Sequence, residues 1–224
     1  VTTFHPRLDG AGRKVLITKP SKPSPASAWG DPSATVVVVP GGHVPAELHG
    51  VSFAPWEPPD RTWWEAAAAE VAVVEPPFVC PVGLKPAAGA LVVEPDGRAW
   101  CVAPTGRFGG HEFTLPKGRT DGRSPSATGL VEVYEESGLC VRLNTFLCDV
   151  PRSETFTRFF IATRITGSPA EMTWESQAVM LAPLLVLRTI LSHPGDQSVL
   201  GSFAQSNWKL SNLAWQVDQR AHHT

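Results

Sequence analysis

Residues 115–139 read LPKGRTDGRSPSATGLVEVYEESGL, and the reading of this stretch decides the fold. Ser124-Pro125 is an N-cap serine followed by proline at the first helical position, where a missing N–H costs nothing. Gly138 is a natural left-handed stop. Between them the signals predict a helix of about 13 residues. At about 100° per residue, with Glu132 as zero, Glu136 lies at about 40° and Glu135 at about 300°. The three carboxylates share one arc, while Ala127, Leu130, Val133 and Tyr134 line the opposite side. The helix is therefore expected to bury an apolar side and to hold three anions on an exposed face. Like charges at that spacing destabilise a helix by about 0.2–0.5 kcal/mol per pair, and this helix has no basic residue to offset them. A hard divalent cation with oxygen ligands would, since Mg²⁺ takes a few carboxylates and leaves positions for water and substrate phosphate. A solvated acidic face is the other meaning of the same pattern.

Outward from this helix the texture is that of a layered α/β domain. AAGALVVEP (87–95) reads as a strand, Pro95-Asp96-Gly97 as a turn and AWCVAPT (99–105) as its return partner. Phe113–Leu115 reads as a short third strand, closed by the turn Pro116-Lys117-Gly118. Downstream, 140–150, 155–166 and 177–182 read as strands, and apolar helices are expected near 183–192 and 196–204.

Upstream the chain changes character. Of its 22 prolines, 14 fall in residues 1–86 and eight in the rest. KVLIT (14–18) hints at a strand and TVVVV (35–39) reads as one. Asp60 is placed to start a helix over RTWWEAAAAEVA. The expected organisation is a proline-rich extension, 1–85, packing on the core; a catalytic-type domain, 86–205; and a C-terminal helix or tail, 206–224. Trp56, Trp63 and Trp64 pack that extension onto its neighbour or stack on a nucleobase.

Composition excludes other classes. With 42% hydrophobic residues, 18% charged residues and a net charge of −2, the chain is neither wholly disordered nor a basic nucleic-acid coat. Four widely spaced cysteines without a CxxC pair do not make a disulfide framework and suit a reducing cytosol. The N-terminal residues lack a signal-peptide apolar run, so a cytoplasmic protein is expected. No Gly-x-Ser-x-Gly or P-loop motif is present.

The Lys117-Gly118 turn, the polar loop and a helix ending Glu-Glu-x-Gly-Leu resemble the Nudix hydrolase signature, G-x5-E-x7-R-E-U-x-E-E-x-G-U, where U is apolar. Gly118 matches its first glycine, and Glu132, Val133, Glu135, Glu136, Gly138 and Leu139 match its end. The hairpin before it, and Trp174-Glu175 followed by AVMLAPL after it, are similar to that family too. The interval from Gly118 to Glu132 is one residue shorter than the pattern, the loop glutamate is lost or replaced by Arg123, and Val131 stands where the pattern has arginine.

The resemblance implies a Nudix-type α/β/α sandwich with a mixed sheet, preceded by the extension with its short strand and helix. It implies a Mg²⁺-dependent pyrophosphohydrolase, with Mn²⁺ as a substitute, cleaving the pyrophosphate linkage of a nucleoside diphosphate joined to another moiety. Glu132, Glu135 and Glu136 are the implied metal ligands. Glu132, Glu136 and Glu175 are the implied catalytic carboxylates, with Glu171 as the other candidate in the loop that carries Glu175. Lys117, Arg119 and Arg107 are candidate substrate contacts, and Arg119 or Arg123 could stand in for the missing arginine. The implied partner is a nucleotide-type small molecule rather than nucleic acid or a membrane, and a homodimer is compatible with the family. A Nudix-fold nucleotide-binding or sensor module with weakened catalysis is the alternative that Val131 keeps open.

Overall fold

The computed structural model describes residues 3–18, 20–60, 62–106, 110–206 and 208. Nine strands and four α-helices are described: β1 Val36–Val38, β2 Glu47–Leu48, β3 Val51–Ser52, α1 Trp63–Val71, β4 Lys85–Val92, β5 Arg98–Pro104, β6 Lys117–Arg119, α2 Pro125–Ser137, β7 Leu139–Pro151, β8 Thr155–Gly167, β9 Ser176–Pro183, α3 Leu184–Ile190 and α4 Pro194–Gln205. They form a four-stranded mixed sheet in the order β6-β4-β8-β7 and a three-stranded sheet in the order β1-β9-β5, with β2 and β3 as a separate hairpin. β4 and β8 run parallel, in register Gly89↔Phe159, and the other pairs are antiparallel.

Successive strand residues point to opposite faces, and here both faces are buried. Ala88, Ala90 and Val92 of β4, Phe160 and Ala162 of β8, and Trp100 and Val102 of β5 pack on one side with Leu130 and Val133 of α2. Leu91, Phe159, Ile161, Cys101 and Met180 pack on the other with Leu187, Leu191, Val199 and Leu200. The result is the expected α/β/α sandwich with a mixed sheet. Among the described residues no helix is long and apolar enough to cross a membrane.

Residues of the proline-rich extension are built into the first of these cores. Trp29, Val36, Val38, Phe53 and Trp64 are buried there, and β1 adds an antiparallel strand to β9. Trp56 and Trp64 make edge-on and tilted contacts with Tyr134 of α2, whose hydroxyl donates to the Trp56 carbonyl at 2.9 Å. Glu65 accepts from the backbone N–H and the hydroxyl of Ser124, and Glu75 accepts from Ser126 Oγ. Trp56 and Trp64 are thus committed to packing against α2, with Trp63 packed on both of them.

Two local expectations are corrected. Phe113–Leu115 forms no strand; Thr114 makes a single bridge to Val102, and the strand lies one step later, over Lys117–Arg119, where a turn was expected. The N–H that Pro116 lacks is not needed until Lys117, and β4 offers Ala87, Ala88 and Gly89 as pairing partners from there onward. KVLIT contributes only the bridge of Leu16 to Phe4. The expected C-terminal helix or tail lies, beyond Ser206 and Trp208, outside the described residues.

Candidate functional site

The helix carrying the glutamates forms as its ends dictate. Ser124 accepts the Ala127 N–H at 3.2 Å, Pro125 is the first helical residue and Gly138 closes the helix at φ 71°. A Cβ at Gly138 would collide with the Ser168 carbonyl, so that position requires glycine for space as well as for its positive φ.

The expected exposed face is not exposed. Glu132 and Glu136 are 9% and 8% accessible, because β6 passes directly over this side of α2. Glu136 Oε2 accepts the Lys117 N–H at 2.8 Å. Gly118 faces Glu132 with no room for a Cβ before the carboxylate. The helical wheel placed the three glutamates together correctly, but it carried no information on the strand that covers them.

A fourth carboxylate joins from outside the helix. Glu132, Glu135 and Glu175 each offer an oxygen, and these atoms lie within 4.8 Å of one another. Glu175 is delivered by the turn leading into β9, which is tied at both ends. Thr105, just past β5, donates its N–H to the Glu175 carbonyl and its hydroxyl to the Trp174 carbonyl, both at 2.6 Å. Thr173 N–H donates to the Glu135 carbonyl at 3.0 Å. Glu171 is drawn elsewhere, accepting from Arg7 at 2.8 Å.

Burial acts on all four groups in the same direction, and neighbouring carboxylates add to it on Glu132, Glu135 and Glu136. Burial, then the charges of Glu136, Glu135 and Glu175, push Glu132 up to about 9. Burial pushes Glu136 up to about 7 against the opposing influence of Lys117. Glu135 and Glu175 are raised by burial, and Glu135 also by the charge of Glu175, with Arg123 opposing. Four half-buried or buried carboxylates, each raised above its ordinary value, are a set of hard oxygen donors short of positive charge. That is the donor chemistry a divalent cation requires, so the residues fit Mg²⁺ or Mn²⁺.

The basic candidates separate. Lys117 is half-buried on β6, its charge acting on Glu132 and Glu136. Arg123 is near enough to act on Glu135. Arg119 is exposed and lies 3.7 Å from Asp121. Arg107 lies outside the described residues. Val131, at the arginine position of the signature, is a core residue. Sequence reasoning missed Thr105, Thr173, Glu65 and Glu75, which hold the site in place through contacts distant in sequence; no local pattern marks any of them.

No family model matches the chain, and no curated protein matches it. Solved structures similar to it include an Ap4A hydrolase of C. elegans, at 15% identity over 55% of this chain and 96% of that one, with a TM-score of 0.45. An ADP-ribose pyrophosphatase from Streptococcus suis is similar at 18% identity over 56% of this chain and 96% of that one, with a TM-score of 0.45. A putative nudix hydrolase family member from Chromobacterium violaceum is similar at 20% identity over 64% of this chain and 94% of that one, with a TM-score of 0.44. At these TM-scores the likenesses carry no part of the functional reading, which stands on the carboxylate cluster and the signature around it.

Proposed function

We propose that the chain is a Nudix-type hydrolase that cleaves the pyrophosphate linkage of a nucleoside diphosphate joined to another moiety, with Mg²⁺ as its cation. The observation that carries this reading is the convergence of Glu132 and Glu135 from α2 with Glu175 from the β9 turn, within 4.8 Å. These three carboxylates would hold the cation, for which Mn²⁺ would be a substitute. When bound, the cation neutralises phosphate charge and lowers the pKa of a coordinated water. Glu136 lies beside them with one oxygen fixed by the Lys117 amide, which leaves its second oxygen to take the proton of the attacking water. The water oxygen bonds to phosphorus as the bridging P–O bond breaks, and the leaving phosphate departs as the anion. General-base help of this kind is worth about 10²–10⁴-fold. Lys117 contributes a point charge toward substrate phosphate, and Arg119, exposed on β6, a further contact.

Val131 favours a second reading, a nucleotide-binding module of the same fold in which turnover is weakened. Arg123, whose charge acts on Glu135, is the guanidinium that substitutes for the missing arginine under the enzymatic reading. The test is a panel of nucleoside diphosphate conjugates with Mg²⁺, run beside Glu132→Gln. Turnover that this substitution abolishes supports the enzyme; ligand binding without hydrolysis of any conjugate selects the module.

A further inference from the structure

We propose that His111 and His193, together with Lys117, form an anion subsite that receives a phosphoryl group of the substrate beyond the carboxylate cluster, an inference that rests on the pyrophosphatase reading above. The two histidines come from segments 82 residues apart, the loop after β5 and the N-terminus of α4, and their rings meet at 4.8 Å with an interplanar angle of 64°. They are joined to the carboxylates by a continuous set of buried contacts. Lys117 N–H holds Glu136 at 2.8 Å. Three residues upstream, buried Thr114 donates Oγ1–H to Asp196 Oδ2 at 2.8 Å. Arg152 Nη1 donates to Asp196 Oδ1 at 2.6 Å, so the first turn of α4 is locked against the segment that enters β6.

Hydrogen bonding fixes which imidazole edge is available. His193 is the N-cap of α4, and its Nδ1 accepts the Gly195 N–H at 2.9 Å. A ring nitrogen that accepts carries no proton, so the neutral ring bears its hydrogen on Nε2. Burial and the neighbouring Arg152 push His193 down to about 4, which keeps this donor arrangement throughout the neutral range. His111 Nδ1 is engaged with Ser192 Oγ at 2.7 Å; in the tautomer where the Ser192 hydroxyl donates, the His111 hydrogen lies on Nε2 as well. Among the described residues neither Nε2 has a hydrogen-bond partner.

Beyond Arg152, one cation acts on His193. Arg152 and Asp196 neutralise each other. The charge of Lys117 acts on His193 as well as on Glu132 and Glu136, so it lies within electrostatic reach of both groups. His193 itself caps the positive end of α4, a 12-residue helix. Two imidazole N–H donors and one ammonium match the oxygens of a phosphoryl group.

The test uses the full chain in EDTA, titrated with inorganic pyrophosphate while the imidazole nitrogens are followed by long-range ¹⁵N–¹H NMR. His111→Gln and His193→Asn assign the two rings among the seven histidines; asparagine keeps a capping acceptor at residue 193. The Nε2 signals of His111 and His193 are expected to move together, and His193→Asn is expected to weaken pyrophosphate binding about tenfold, the scale of one lost charge-assisted hydrogen bond. On any conjugate that is hydrolysed with Mg²⁺, the same variant is expected to raise KM about tenfold while kcat stays within about twofold. Imidazoles unmoved at saturating pyrophosphate, or His193→Asn binding it as tightly as the parent, overturn the subsite. A chain that hydrolyses nothing yet shows both shifts loses the enzymatic reading and keeps the subsite. Turnover abolished by Glu132→Gln with unmoved imidazoles does the reverse.

Discussion

Gly118 stands against Glu132 so closely that any side chain at residue 118 would occupy the space of the carboxylate. The contact joins the first glycine of the signature to its first helix glutamate, two positions 14 residues apart in sequence. Gly118 has no positive φ, so space rather than backbone conformation demands glycine here. Gly118→Ala is therefore expected to push Glu132 out of the cluster at an overpacking cost of about 1–3 kcal/mol. Mg²⁺ affinity, measured by calorimetry, should fall at least about tenfold. An alanine variant with parental affinity would show that Glu132 has room to turn aside without leaving the site.

Glu132→Gln removes the carboxyl whose ionisation the cluster most disfavours and keeps the side-chain shape. In EDTA at pH 8 this variant should melt above the parent, because burial and three neighbouring carboxylates disfavour the Glu132 anion. In Mg²⁺ the order should reverse, since the parent gains more from the cation by mass action. Thermal denaturation with and without Mg²⁺ checks both halves.

The metal-free protein should lose stability as pH rises. Glu132 and Glu136 are pushed up to about 9 and about 7 in the folded chain, above the ordinary carboxylate value of about 4.3 in an unfolded one. Between those limits the folded state holds protons that the unfolded state has released, so stability falls with increasing pH. The stabilisation is complete below the ordinary value and is lost as pH passes through about 7 and then about 9. Melting curves in EDTA from pH 5 to 9 should show a declining midpoint, and saturating Mg²⁺ should flatten the slope. A midpoint that climbs across this range would contradict the burial of these carboxylates.

The extension is expected to be indispensable to the fold. Trp64 is buried against Tyr134 and Trp56, and replacing it with alanine should cost about 3–5 kcal/mol. At roughly 2–4 °C per kcal/mol for a chain of this size, the melting point should fall by about 10 °C. Deleting residues 1–84 removes β1, Trp29 and Phe53 as well, and should leave a product that does not melt cooperatively. A stable, fully active remainder would mean that the sandwich closes without them.

Thr105→Val keeps the shape of the side chain but removes the hydroxyl that holds the Trp174 carbonyl at 2.6 Å. The expected stability loss is about 1 kcal/mol. Mg²⁺ affinity should weaken several-fold more than that loss explains, because the turn presenting Glu175 loses one of its two ties to Thr105. Unchanged Mg²⁺ affinity would mean that the backbone bond from Thr105 to Glu175 is a sufficient anchor.

Much of the sandwich was legible because its signals are local. The N-cap Ser124, Pro125 and Gly138 marked both ends of α2, and the turn Pro95-Asp96-Gly97 separated β4 from β5. The misplaced third strand shows where that reasoning stops. Phe113–Leu115 is the more apolar segment, yet Lys117–Arg119 is the strand, because hydrogen-bond partners on β4 lie opposite it. The short apolar segment had only propensity in its favour, and propensity yields to pairing.

By itself the sequence determined that Glu132, Glu135 and Glu136 share one side of a helix, since 3.6 residues per turn is a property of the backbone. It also determined the ends of that helix and the apolar material of two buried faces. Only the tertiary structure decided that this side is covered, that Glu175 rather than Glu136 completes the close triad, and that His111 meets His193. These outcomes depend on strand register and on connections that close over scores of residues. Which side chains meet across such distances is set by the packing of the whole core, and no local period encodes it.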